Sequence, residues 1–241
     1  MQTSADVAAA SGQKIALGGG RPSVRLPWPA LLGPVPLTDA QWLDELAVER
    51  DVAEHGSIYA RDDVATSLVI LLDGQAVIGH ANMGQSMKAE RVLHAPAWLD
   101  MASAWCHGRH MTDARAQTRV RVADLPVAPL RSLLVQRPSL ALRFVDVLAH
   151  EVVRLGAQTH ELMHKDAPAR LAAWLLRQLD GHGHGVLRLS ERKRDIASQL
   201  GMTPETLSRL MRSLSEQGLI GVEGYTVRVL DRDGLDRLAA A

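Results

Sequence analysis

Two short stretches of this chain hold side chains whose types and spacing could do chemistry. The first, from Thr203 to Leu214, reads TPETLSRLMRSL. A helix turns about 100° per residue, so Glu205, Ser208, Arg209 and Arg212 share one side. Leu207, Leu210, Met211 and Leu214, spaced i, i+3, i+4 and i+7, form an apolar stripe on the other. A helix with a buried back and a front of carboxylate, hydroxyl and guanidinium groups is suited to reading base edges in a DNA major groove. Arg209 would donate to guanine O6 and N7, and Glu205 would accept from cytosine N4. Thr203, Arg194 and Arg212 are suited to contacts with phosphates, which set register. The second stretch is Trp105-Cys106-His107-Gly108-Arg109-His110. It brings a thiol and two imidazoles, of Cys106, His107 and His110, within five positions. The same run also reads as a surface loop carrying a free thiol.

The first stretch needs elements that position it. Thr203 is placed to cap the helix and Pro204 to occupy its first position, where a missing N–H costs nothing. Ser190 can cap a preceding helix running through Leu200, with Gly201 giving the sharp turn between the two. Behind them, GLIGVEGYTVRVL reads as two strands about a Glu223-Gly224 turn. The 241-residue chain has a formal net charge of zero. Its distribution is more telling. From Arg188 to Arg212 there are six basic residues against three acidic. That excess suits a few phosphate contacts per subunit.

These residues carry a resemblance. The run K-R-D-I-A-S-Q-L-G-M-T-P-E-T-L-S-R from Lys193 to Arg209, then L-S-E-Q-G-L-I and a short wing, is similar to the winged helix-turn-helix of the CRP/FNR family of bacterial transcription regulators. The resemblance implies a homodimer on double-stranded DNA, acting with RNA polymerase. Glu205, Ser208 and Arg209 match the E-x-x-S-R pattern of the FNR type. The cAMP-receptor type carries an arginine where this chain has Pro204. The implied half-site is therefore TTGAT-like rather than TGTGA.

Upstream, residues 1–37 are rich in Ala, Gly, Ser and Pro and have no sustained period, which predicts a flexible extension pinned in part by Trp28 and Leu31. Thr38 is expected to cap a short helix, TDAQWLDELA. From Val48 to Val127 the pattern is mostly β, with a hairpin at Asp73-Gly74 in SLVILLDGQAVIGHAN, a strand–turn–strand at IYARDDVA, and alternation at QTRVRVADLP. Short strands separated by turns argue a jelly roll. Their order resembles the sensor domain of the same family. From Pro138 to Lys165 the chain has no further proline. Val145, Val152 and Thr159 fall at one heptad position, and Ala141, Leu148, Leu155 and Leu162 at the other. That pattern favours a parallel two-stranded coiled coil. Leu140, Leu142 and Phe144 are expected to pack against the β domain. Asp166-Ala167-Pro168 marks a hinge before ARLAAWLLRQL.

The expected fold is thus α+β: a flexible extension over 1–37, a cyclic-nucleotide-binding-like β jelly roll over 38–137, a dimerisation helix over 138–165 and a winged helix-turn-helix over 166–241. The dimer interface is expected at Val145, Leu148, Val152, Leu155, Thr159 and Leu162.

Composition narrows the class further. Hydrophobic residues make up 46% and charged residues 22%, an ordinary globular mixture. No apolar run approaches the length of a membrane span, and no secretory signal is evident, so a cytoplasmic protein is expected. A single cysteine excludes an intramolecular disulfide and an all-cysteine iron–sulfur cluster within one chain. There is no Gly-x-Ser-x-Gly, phosphate-binding glycine loop or His-Glu-x-x-His, which argues against an enzyme. Cyclic-nucleotide members of the resembled family carry Gly-Glu and Arg-Ser/Thr in the sensor. Here Asp100 stands near the Glu position and Met111-Thr112 near the Arg-Ser position, so cAMP binding is not expected. The Cys-His run sits about where the carbon-monoxide-sensing haem member has its ligand pair, with different spacing. The reading helix also resembles that of nitrate respiration regulators, which respond to nitric oxide through haem. Haem is therefore a candidate input, with Cys106, His107, His110, His80 and His94 as candidate ligands, since thiolate and imidazole are both competent axial ligands of haem iron. The alternatives are a sensor domain with no ligand, kept as a dimerisation scaffold, or one for another small molecule.

Overall fold

A computed structural model describes residues 25–80, 87–106, 108–180, 185–189 and 191–240. His107, Ser190 and the Gly-His stretch at 181–184 lie outside the described residues.

The chain enters through two short helices, α1 (Trp28–Leu32) and α2 (Leu37–Leu46). The part of the expected extension from residue 25 onward belongs to the body. Trp28 is 1% exposed, Leu31 and Leu32 are buried, and the Trp28 indole N–H donates to Asp44 at 2.7 Å. Trp28 and Leu31 thus pin it as expected, but the helix that carries them was not foreseen, because a single apolar turn between prolines has no period to detect. Thr38 does not cap α2: Pro36 stands at the cap position and the helix begins at Leu37.

Eight strands follow: β1 (Val48–Val52), β2 (Ser57–Tyr59), β3 (Ser67–Asp73), β4 (Gln75–His80), β5 (Lys88–His94), β6 (Ala97–Asp100), β7 (Asp113–Ala116) and β8 (Val120–Pro126). They form two antiparallel four-stranded sheets, in the orders β1-β8-β3-β6 and β2-β7-β4-β5. This is a roll, as the alternating runs predict. Its interior is filled by Ile58, Tyr59, Val69, Leu71, Ile78, Leu99 and Val122. The Asp73-Gly74 turn is confirmed. Gly74 has φ +83°, and a Cβ there would come within 2.6 Å of the Arg119 carbonyl oxygen, so only glycine fits.

Helix α3 (Val127–Gln136) leads to α4 (Pro138–His164), whose Leu140 and Phe144 are buried against the roll. Leu142 is not: it is 63% exposed. Lys165 breaks the helix in extended conformation at the expected hinge, and the Asp166 carboxylate accepts from the Ala169 N–H at 2.9 Å as the next helix starts. The C-terminal unit comprises α5 (Ala167–Asp180), β9 (Val186–Arg188), α6 (Lys193–Gln199), α7 (Pro204–Glu216), β10 (Ile220–Glu223), β11 (Thr226–Val229) and α8 (Arg232–Ala239). Its core joins Leu171, Leu175, Ile196, Leu207, Leu214, Ile220 and Leu235. Among the described residues no helix is long and apolar enough to cross a membrane.

Candidate nucleic-acid interface

Helix α7 begins as its sequence predicts. Thr203 is extended at φ −83° and ψ 157°, its Oγ1 accepts from the Thr206 N–H at 3.2 Å, and Pro204 follows at the first helical position. Leu207, Met211 and Leu214 are buried and Leu210 is half-buried, so the apolar stripe faces the core. Each fully buried side chain of this kind contributes about 1.5–3 kcal/mol. Glu205, Ser208, Arg209 and Arg212 are all exposed and, with Pro204, line one open groove. Hydrogen bonds from its own backbone N–H and from the Thr203 hydroxyl lower the pKa of Glu205, so it stays an acceptor.

Helix α6 precedes this element, and Gly201 turns between them at φ +63°, with Met202 N–H donating to the Ala197 carbonyl at 3.0 Å. Ser190 does not stand at the start of α6: Arg192 occupies the cap position. Arg194 is exposed and lies 3.5 Å from Asp195. The wing is present as β10 and β11, paired antiparallel, with β9 on the far edge of β11. Its tip presents Tyr225 at 60% exposure, and Arg228 is exposed on β11. Sequence reading did not single out these two residues. The signal for them was their position beside the Glu223-Gly224 turn.

Comparison with known proteins agrees with this geometry. The Crp-like helix-turn-helix domain family matches residues 169–238. The chain is 24% identical over 188 residues to the CRP-like cAMP-activated global transcriptional regulator of Mycobacterium tuberculosis, covering 76% of this chain and 84% of that protein. It is 26% identical over 212 residues to the transcriptional regulatory protein btr of Bordetella pertussis, covering 85% and 86%. The C-terminal unit is thus a Crp-like helix-turn-helix, and the similarities along the rest of the chain support a transcription regulator of the CRP/FNR type. Its fold is like that of FixK2 from Bradyrhizobium japonicum, with a TM-score of 0.67 at 23% identity over 81% of this chain and 98% of that one. Its relatives are transcription regulators rather than enzymes.

The sensor-side candidates among the described residues do not converge. Among the described residues no group of three or more His, Cys, Asp or Glu side chains could hold a metal ion. His110 is buried, its Nδ1 lies 2.6 Å from Asp100 Oδ2, and its ring stacks on Tyr59 at 4.0 Å. Burial raises the pKa of Asp100, but hydrogen bonds from His110, Ser103 and Ala102 outweigh it and hold the carboxyl at about 2. Tyr59 is pushed well above its usual range, by burial first and then by the Asp100 charge. His80 Nε2 lies 3.0 Å from Glu90, His94 is exposed at the end of β5, and Cys106 is an exposed free thiol.

A second polar group joins the roll to α4. Arg91 of β5 donates to Glu151 at 2.8 Å, and Arg154 grips the same carboxylate through two nitrogens at 2.7 and 2.8 Å. Hydrogen bonds from Arg154 and the charge of Arg91 lower the pKa of Glu151 against its burial, while burial lowers that of Arg91. None of the three residues stood out in the sequence, because β5, KAERVLH, alternates too weakly to declare itself.

Of the residues expected at the dimer seam, Val145, Val152, Leu155, Thr159 and Leu162 are exposed, with Leu142, Val153 and Met163 beside them. Leu148 is half-buried and packs on the core beneath the roll, and Leu162 Cδ2 lies beside the turn at Gly201.

Proposed function

We propose that this regulator acts as a homodimer that reads a palindromic, TTGAT-like site. What carries the reading is the exposed face of α7, Glu205, Ser208, Arg209 and Arg212 on a helix whose back is buried. Two-fold symmetry would set two such helices one DNA turn apart, about 34–36 Å. The apolar row on α4, with Val145 and Val152 more than half exposed, supports dimerisation through that helix. RNA polymerase is the second partner that membership of this family suggests.

For the input, the geometry favours the sensor without haem or cAMP. His110 and Asp100 are committed to each other, and Met111, near the position of the phosphate-gripping arginine, is 80% exposed. The Arg91–Glu151–Arg154 group supplies from within the chain a polar bridge between sensor and long helix. The test is fluorescence anisotropy with a palindromic TTGAT duplex and a scrambled one, together with the visible spectrum of protein made with haem supplied. Preferred binding to the palindrome and no Soret band are expected. Equal binding to both duplexes overturns the specific-site reading. A Soret band lost on replacing Cys106 or His107 overturns the ligand-free reading.

A further inference from the structure

A cleft of about 520 Å³ separates the sensor roll from the helix-turn-helix, lined on one side by Met87, Lys88 and Ala89 and on the other by Arg194, Ser198 and Thr203. It exists because α6 packs against β5. The strand is brought there by a bulge in the β4–β5 ladder between Ile78 and Gly79. A Cβ on Gly79 would come within 2.0 Å of the Lys88 carbonyl oxygen, so the two backbones are pressed together at this point. Bulges of this kind bend a strand and redirect its side chains.

Three observations on this cleft point to an anionic occupant. Lys88 is exposed and has no ion-pair partner among the described residues. Among the described residues, Lys88 and Arg194 bring two cations to a space lined by one carboxylate, that of Asp195, 3.5 Å from Arg194. The Ser198 hydroxyl oxygen is buried there without a hydrogen-bond partner. A fourth observation says which anion. Pro204 borders both this cleft and the groove of Glu205, Ser208, Arg209 and Arg212, so the two adjoin at the start of α7. A DNA strand passing the reading helix therefore meets the cleft next, and its phosphates are the densest negative charge available.

We propose that Lys88 of the sensor domain and Arg194 of the helix-turn-helix together grip the phosphodiester backbone flanking the recognised half-site. The proposal rests on the DNA-reading assignment of α7. Its consequence is a coupling between input and output. One cation belongs to each domain, so the complete phosphate grip forms only while α6 is docked on β5. Any influence on the sensor that shifts this docking changes DNA affinity without touching a base contact.

The test is the salt dependence of binding by the full chain, measured by anisotropy on the palindromic and the scrambled duplex. Neutralising one phosphate contact lowers the slope of log affinity against log salt by about 0.9. Lys88→Ala should reduce the slope by roughly that amount per protomer and weaken both duplexes alike, by about three- to tenfold at moderate salt, whereas Lys88→Arg should keep the slope. Arg194→Ala should do the same as Lys88→Ala. The double variant should lose less than the sum of the two, since a shared contact is lost once. An unchanged slope in Lys88→Ala, a loss confined to the palindrome, or strictly additive losses overturns the joint grip. Failure of the α7 reading would appear separately, as a wild-type protein that binds both duplexes equally.

Discussion

At the scale of single residues, the side chains divide into those proposed to face DNA and those that settle the sensor core. Arg209→Ala should cost roughly 1–3 kcal/mol of binding at one base position and relax preference there, checked by anisotropy on duplexes varied base by base. An equal loss on the scrambled duplex would show a phosphate contact instead. The Asp100–His110 pair makes a prediction about acid stability. The carboxyl of Asp100 lies at about 2 in the folded protein against an ordinary 3.8. A depressed folded value stabilises the protein above the unfolded value, and that contribution disappears as pH falls from about 4 toward 2. It amounts to about 2 kcal/mol, read as the difference in urea unfolding between pH 6 and pH 2. His110→Ala should cost about 2–4 kcal/mol at pH 6 and flatten this acid limb, because Asp100 would keep only the Ser103 and Ala102 donors. The residues proposed to face DNA were legible in the sequence. The Asp100–His110 pair was not: Asp100 was noticed near the position of the cyclic-nucleotide glutamate and His110 as a haem-ligand candidate, but a contact across ten positions of loop has no periodic signature.

At the scale of elements, the helix-turn-helix follows from local rules that a reader can apply in order. A capping threonine, a first-position proline, an apolar stripe and a turn glycine each hold where expected. Gly201→Ala should destabilise the protein by about 1–2 kcal/mol, seen as a lower Tm, because φ +63° disfavours any Cβ. A Cβ would also stand 3.0 Å from Leu162 Cδ2, which would have to shift. Thr203→Ala removes the cap and should cost about 1 kcal/mol by the same measure, with Thr203→Ser restoring most of it. The strands were legible as a group through their turns. Strand β5 was missed because its two faces meet different surroundings, the roll on one side and α6 and α4 on another, and so show no clean alternation.

At the scale of the whole molecule, three bodies meet around the end of α4. Arg170 donates to the Leu200 carbonyl at 2.9 Å and to the Lys165 carbonyl at 2.6 Å, and Arg177 reaches Glu161 at 2.5 Å, so α5 and the helix-turn-helix are tied to the long helix. The exposed apolar side chains of that helix, Val145, Val152, Leu155 and Leu162 among them, are the surface proposed for a second copy. Val152→Asp places a charge on that surface and should convert the dimer to a monomer by light scattering, with loss of tight binding to the palindrome. A variant that keeps the wild-type mass would show that the copies meet elsewhere. Leu148→Asp, by contrast, should lower Tm, since Leu148 packs on the protein's own core.

What the sequence alone determined is what short-range rules decide. A helix's cap, stripe and exposed front all lie within one stretch of chain, and so do a turn glycine and the hinge before Pro168. The motif carried in that stretch was enough to point to the family and to a DNA-reading face. Tertiary structure decided everything that depends on which surface meets which. A heptad pattern says that α4 has apolar rows but not which of their side chains the roll consumes, and it is Leu148 that packs on the core. Lys88 and Arg194 lie more than a hundred positions apart. Nothing local relates them, and only the packing of α6 on β5 puts both cations on one cleft.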